Sequence, residues 1–363
     1  MRADTRLLLA LNAMSRRPNF PERATPEAYA NWEYDEAPYQ IRLMEAAGLS
    51  FAGQRVLDVG CGLGGKSVAF AERGLQVVGV DLSPENVRAG SGFARKRRTH
   101  VDFMAADATV IPVRSGSFDV VISTDTFEHF PKPEASLSEM HRVLRKGGTL
   151  VAVFGPFGSP LGSHLYDSLF VPWCHVLFSR DTLADALREL ARRRGAGLDP
   201  AAARDEMERA EGQISYFDNH LNRMTLRRFR KLLEAQPGFT VRRWMKWTPP
   251  KLRPLSPLVR IPWLDEVLTG LLVAVVERTD CRKFSGSAPV VGLRRDGDKL
   301  TNPVTAERPD MRQTRLCHNA IFHPRLELGG IVIEMDHDQA GSKPIGRIHR
   351  VRVREALDDA TKG

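Results

Sequence analysis

A doubly wound α/β fold with a mostly parallel, seven-stranded sheet is what this sequence predicts, and three observations predict it. Short apolar bursts alternate with helix-forming stretches from Arg42 onward, the pattern that builds a parallel sheet covered on both faces. The first burst runs straight into a glycine-rich turn that opens a helix. Two more bursts close the regular region and supply a terminal antiparallel pair.

Taken in order, Arg55 to Val59 (RVLDV) reads as a buried first strand, and Ser67 to Arg73 as a helix closed by Gly74. Gln76 to Val80 is the second strand. Ser83, Pro84 and Glu85 then combine an N-cap with a proline at the first helical position. Val101 to Ala105 is the third strand and Ser117 to Ser123 (SFDVVIS) the fourth. Pro133 to Leu144 forms a helix stopped by Gly147 and Gly148, before a fifth strand over Thr149 to Phe154. The rhythm breaks at Gly155. A mostly helical insertion follows to about Pro237, with an Arg- and Ala-rich stretch over Asp181 to Arg209. Phe239 to Trp247 and Leu271 to Glu277 are the last strands, joined by the Pro-rich connector Thr248 to Pro262. Periodicity is lost after Cys281, so a weakly ordered tail is expected there. The domains expected are an N-terminal helical flap (1–41), a main domain (42–280) with the insertion as a lid (155–237), and a tail of unknown role (281–363).

The chain has 363 residues, 42% of them hydrophobic and 27% charged, as in an ordinary globular protein. No run is apolar enough for a membrane span, and the apolar run near the N-terminus is too short for a signal peptide. The formal charge is +9, which admits an anionic partner such as nucleic acid or a membrane surface. Clusters such as Arg95 to Arg98 and Arg192 to Arg194 also fit solvated helix faces. Cys61, Cys174, Cys281 and Cys317 are far apart with no metal-binding spacing, which points to a reducing, cytoplasmic setting.

Gly60, Gly62 and Gly65 satisfy G-x-G-x-x-G between a strand and a helix. By itself that loop suits either a dinucleotide or S-adenosylmethionine (SAM), since glycines let the backbone approach both. The surrounding carboxylates decide. Asp58 sits at the strand end, where it would repel a pyrophosphate and attract an ammonium group. Asp81 ends the second strand, where an acid grips ribose hydroxyls. Asp107 is placed to accept from an adenine amino group. Taken singly, Asp81 and Asp107 also suit turn or cap positions; together the three suit a cationic ligand without phosphate.

VLDVGCGLGG, VVGVDLS, AADAT, FDVVIS and MHRVLRKGGTLVAV together resemble the motifs of class I SAM-dependent methyltransferases, particularly those acting on small molecules, over roughly Arg42 to Arg278. The resemblance implies a Rossmann-like fold with SAM as cofactor and S-adenosylhomocysteine as product. It assigns Asp58, Gly60, Cys61 and Gly62 to the methionine end, Asp81 and Leu82 to the ribose, and Asp107 and Ala108 to the adenine, with Ser123 alongside.

Methyl transfer is an in-line displacement that needs alignment and, for a hydroxyl acceptor, a base. STDTFEHFPKP after the fourth strand offers His129, with Glu128 or Asp125 to orient it; a packing role for the Glu-His pair is the alternative. D-x-x-E-H also resembles the metal-binding triplet of ubiquinone-biosynthesis O-methyltransferases, which have Glu where this chain has Asp125; no metal ligand is assigned. His164, Tyr166, Trp173 and His175, at the start of the lid, are candidate substrate contacts or core aromatics. Trp32, Tyr34 and Tyr39 suggest a second flap over the cofactor.

The expected activity is methylation of a small molecule at O or N. Nucleic-acid or protein methylation is the first rival; an N-P-P-Y motif after strand four is missing, as is a cysteine near that strand. An NAD-dependent oxidoreductase and a non-catalytic SAM-binding protein at a membrane surface are the others. Peripheral membrane contact draws on the amphipathic stretch Lys251 to Pro262.

Overall fold

The computed structural model describes residues 1–15, 25–49 and 53–279, together with five short strands beyond them. It divides into two units, Met1–Val304 and Thr305–Gly363.

In the first unit seven strands form one sheet: β1 (Arg55–Val59), β2 (Gln76–Asp81), β3 (Asp102–Ala105), β4 (Phe118–Thr124), β5 (Leu144–Phe154), β6 (Phe239–Trp247) and β7 (Leu271–Arg278). Their order is β3-β2-β1-β4-β5-β7-β6. The first five are parallel, and β7 runs antiparallel to both β5 and β6. Strand order reverses between β1 and β4, the place where an open α/β sheet leaves a crevice at its carboxyl edge.

Both sheet faces are covered. Leu57, Val59, Val121 and Leu150 point to one side, against α5 (Pro133–Val143) and α9 (Leu226–Ala235). Val56, Val120, Ile122 and Val151 point to the other, against α2 (Pro26–Ala46) and α3 (Gly65–Glu72). A strand buried on both faces reads as a continuous apolar run, which is why RVLDV and FDVVIS lack polar alternation. Ser83 accepts from Asn86 N–H and starts α4 (Pro84–Lys96), as its capping pattern predicts.

Three boundaries differ from the sequence reading. Helix α5 ends at Val143, not at the glycine pair, because buried Leu144 already turns extended and pairs with Phe118; Gly147 takes a left-handed turn within the start of β5. The Arg- and Ala-rich stretch is two helices, α7 (Arg180–Gly195) and α8 (Pro200–Asn219), since Asp199 caps α8 with Pro200 at its first position. The first helix, α1 (Ala3–Met14), packs with α7, α8 and Leu165 to Val171 in a separate core, so it joins the insertion whereas α2 joins the sheet.

Most residues of the expected tail, including Cys281 and Cys317, lie outside the described residues. Described there are a two-stranded antiparallel pair, β8 (Arg294–Asp296) with β9 (Lys299–Thr301), and a three-stranded antiparallel sheet of β10 (Arg325–Leu328), β11 (Ile331–Glu334) and β12 (Arg352–Glu355). Among the described residues, no helix is long and apolar enough to cross a membrane.

Candidate active site

The glycine loop joins β1 to α3 at the carboxyl edge of the sheet. Gly60 has φ +77 and donates its N–H to Val80 O at 2.7 Å; a Cβ there would stand 2.2 Å from Thr126 Cγ2, so the turn admits glycine alone. Gly62, with φ +55, donates to Asp81 Oδ2 at 3.0 Å. Asp81 also accepts at Oδ1 from Ser83 N–H and Asn86 Nδ2, each at 3.0 Å, so one carboxylate ties the loop to the start of α4. Cys61 is buried beside it, and burial pushes its thiol well above the ordinary range.

Asp58 is buried and accepts from Ser67 Oγ at 2.6 Å. Burial pushes its pKa up to about 6 despite that hydrogen bond and the nearby Lys66. Asp107 lies past β3 and accepts at Oδ1 from the N–H and hydroxyl of Thr109, both at 2.8 Å, which hold it below the usual carboxylate range. It therefore does occupy a turn position. Exposed Leu82 and Val110 flank Asp81 and Asp107, while Ala108 is half-buried against the core. Ser123 is buried in β4, and its hydroxyl has no protein partner.

Helix α2 brings further acids to the loop. Glu33 accepts from Gly65 N–H at 3.0 Å, and its Oε1 lies 2.5 Å from where a Cβ on Gly62 would sit. Burial raises Glu33 and Glu36 each to about 7. Buried Lys66 forms an ion pair with Asp125 at 2.6 Å, and Gln40 Nε2 donates to the same Oδ2 at 3.1 Å. Burial opposes ionisation of Asp125, but Lys66 outweighs it and holds the carboxyl low. Asp125 therefore does not orient His129, because its charge is already met by Lys66 and Gln40.

His129 is instead held by the insertion. Its Nδ1 lies 3.0 Å from His220 O, as for a donated N–H, which leaves Nε2 with the lone pair. Tyr216 of α8 places its hydroxyl 3.3 Å from Nδ1 and 3.5 Å from Nε2. The His164 ring is 5.0 Å from that of His129, with Tyr166 6.0 Å beyond. Burial lowers the pKa of His129, lowers that of His164 to about 3, and raises that of Tyr216 to about 12. Glu128 is buried with Oε2 unpartnered, and its pKa is raised well above normal by burial and by Asp125. Donor atoms of Glu128, His129 and His164 lie within 4.8 Å of one another. Asn222 locks this turn, donating from Nδ2 to Phe127 O at 2.6 Å and Phe130 O at 2.9 Å, and from its backbone to Glu128 O at 2.8 Å.

Other expected contacts lie elsewhere. Trp173 donates its indole N–H to Val267 O at 3.0 Å, and the His175 ring nitrogen lies 2.5 Å from Phe157 O; both fasten the lid's root. Tyr34 bonds Glu72 under the guanidinium of Arg97, 3.6 Å from the ring, and Trp32 packs on Tyr29. The face of α2 toward the loop carries Glu33 and Gln40 instead. Sequence reading missed Glu33, Gln40, Lys66, Tyr216, His220 and Asn222. Only Lys66, directly after the loop's last glycine, had a local signal.

Residues 57–152 match the methyltransferase domain family. A demethylmenaquinone methyltransferase of Renibacterium salmoninarum is 37% identical over 35% of this chain and 55% of its own length. A ubiquinone biosynthesis O-methyltransferase of Psychrobacter arcticus is 39% identical over 30% and 43%. A norajmaline N-methyltransferase of Rauvolfia serpentina is 37% identical over 27% and 35%. The match thus spans about half or less of these relatives, and it covers the glycine loop and strands β1 to β5. Over residues 57–152 the chain is thus similar to methyltransferase domains.

Proposed function

We propose that this protein transfers a methyl group from SAM to an oxygen or nitrogen of a small-molecule acceptor. The observation that carries the reading is the ring of carboxylates around a glycine loop. Asp58, Glu33 and Glu36 are held with raised pKa values by burial, and Lys66, buried nearby, is already paired with Asp125. Such a site favours a cation and disfavours a pyrophosphate. The donor set fits SAM: Asp58 and Gly60 to Gly62 would hold the methionine end, Asp81 the ribose and Asp107 the adenine edge, with Leu82, Val110, Ala108 and Ser123 around them.

When bound, SAM supplies an electrophilic sulfonium methyl. His129 would take the acceptor's proton at Nε2, since His220 O engages Nδ1. Tyr216 would stay a neutral hydroxyl donor at neutral pH. His164 and Tyr166 would wall the acceptor, and the insertion would exclude water. The relatives are named for quinone precursors and an alkaloid, which supports a small-molecule acceptor. Calorimetric titration with SAM and with NAD tests the cofactor; NAD binding without SAM binding overturns the reading. Methyl-labelled SAM added to a cell extract, with the labelled product identified, tests the transfer and names the acceptor.

A further inference from the structure

The connector between β6 and β7 contains a 3-10 helix over Pro250–Arg260. Eleven residues is long for this helix type, in which side chains three apart eclipse one another. Leu252, Leu255, Leu258 and Ile261 fall on that spacing. The last three are 43%, 40% and 39% exposed, and Trp263 just beyond them is 69% exposed. An apolar row at regular spacing that faces solvent is unlike a core stripe and marks a contact surface. Exposed Val176 and Leu177 belong to α6 (Cys174–Leu177), which Trp173 ties to the connector through Val267 O.

The charge around the row has one sign. From Thr248 to Trp263 the chain carries Lys251, Arg253 and Arg260 and no acid. The acids that follow are turned inward: Asp265 pairs with Lys246 at 2.7 Å, and Glu266 accepts from Leu226 N–H at 2.8 Å. Leu271 and Leu272 open β7 opposite Trp247 and Phe154, so the connector emerges at the carboxyl edge of the sheet, beside the root of the lid.

We propose that this row is a docking surface for a lipid bilayer carrying anionic headgroups. Leu255, Leu258, Ile261 and Trp263 enter the interfacial layer, and Arg253 and Arg260 meet the headgroup phosphates. Leucines backed by cations, with a tryptophan at their end, match the layered polarity of a membrane interface. A bilayer also needs no groove to receive it. Docking here would turn the site's mouth toward the membrane and suit an acceptor dissolved in it, but the surface itself does not depend on the reaction assigned above.

The test sediments the full chain with vesicles of phosphatidylcholine alone or with about a third phosphatidylglycerol. Binding to the anionic vesicles should be stronger by about tenfold and weaken with salt. Replacing Leu255, Leu258 and Ile261 together by Glu should lower it by about tenfold or more while SAM titration stays unchanged, which confirms a folded protein. Quenching of tryptophan fluorescence by brominated lipid should fall in Trp263→Phe. The proposal is overturned by no binding to either vesicle, by equal binding of the triple variant, or by self-association of the parent chain that the triple variant loses.

Discussion

The loop around Gly60 and the chamber around His129 lie on the same edge of the sheet but are specified in different ways. The contacts that shape the loop's turn come mainly from neighbouring strands and their first helical turns, such as Gly62 to Asp81, with Glu33 of α2 added on Gly65. The chamber is closed across 87 and 91 residues of sequence, by Tyr216 and His220 on His129. The glycine-loop half is thus a largely local solution, set by the strand and helix starts around it. The proposed acceptor half depends on where an insertion lands, and under that proposal substrate choice would vary there.

Mutations should separate the two halves. The largest expected effect is on turnover: His129→Ala should leave SAM affinity within about twofold and lower kcat by about 10² to 10⁴. Unchanged turnover, measured on the acceptor identified by labelling, removes His129 from the mechanism. On the cofactor side, Asp81→Ala removes the acceptor of three hydrogen bonds and should weaken SAM binding about 100-fold, or about 2.7 kcal/mol, by calorimetry. An effect of threefold or less would deny Asp81 its role. Tyr216→Phe is expected to cost about tenfold in kcat without touching SAM affinity. Burial lowers the pKa of His129, so in the parent enzyme kcat/KM should rise with pH along a limb below the ordinary histidine value and be flat at neutrality. If Tyr216→Phe leaves that limb unmoved and kcat full, the tyrosine is reduced to packing.

Smaller still is the effect of pH on SAM binding. Glu33 and Glu36 titrate near 7 and Asp58 near 6. A cation favours their ionised forms, so below those values its binding must expel protons and is weakened. Affinity should therefore fall severalfold from about pH 8 to about pH 5.5; a flat profile would mean the ligand's charge does not reach these acids. At the low end, Arg188→Ala breaks an exposed 2.6 Å pair with Glu211 and should shift stability by no more than about 1 kcal/mol in thermal denaturation.

The same contrast explains what could be read from the sequence. Leu57, Val59, Val121 and Ser83 announce their elements because apolar runs and caps are local signals, and the sheet follows with all seven strands in their expected places. The placement of Asp58, Asp81 and the glycines around one loop was legible for the same reason. The role of Asp125 was not, because its partner Lys66 lies on α3, far away in sequence, and its environment is a tertiary property. Trp173 and Tyr34 look like ligand contacts by type, yet each is consumed by packing, one on Val267 and the other on Glu72 and Arg97. The arginine clusters follow the solvated reading: Arg192 and Arg193 pair with Glu189, and Arg194 with Glu206.

Helix α1 carries one more consequence. Asn12 donates to Ser168 O at 3.0 Å and accepts from Phe170 N–H at 2.6 Å, while Arg2 reaches Asp185 at 2.8 Å. The ribosome delivers α1 more than 150 residues before these partners exist. Synthesis order and assembly order therefore run opposite to each other here, with α1 made well before its partners yet among the last elements to settle. Until then Leu8 and Leu9, buried in the finished protein, stay uncovered, and a nascent chain halted before Ser168 should be the species most in need of a chaperone.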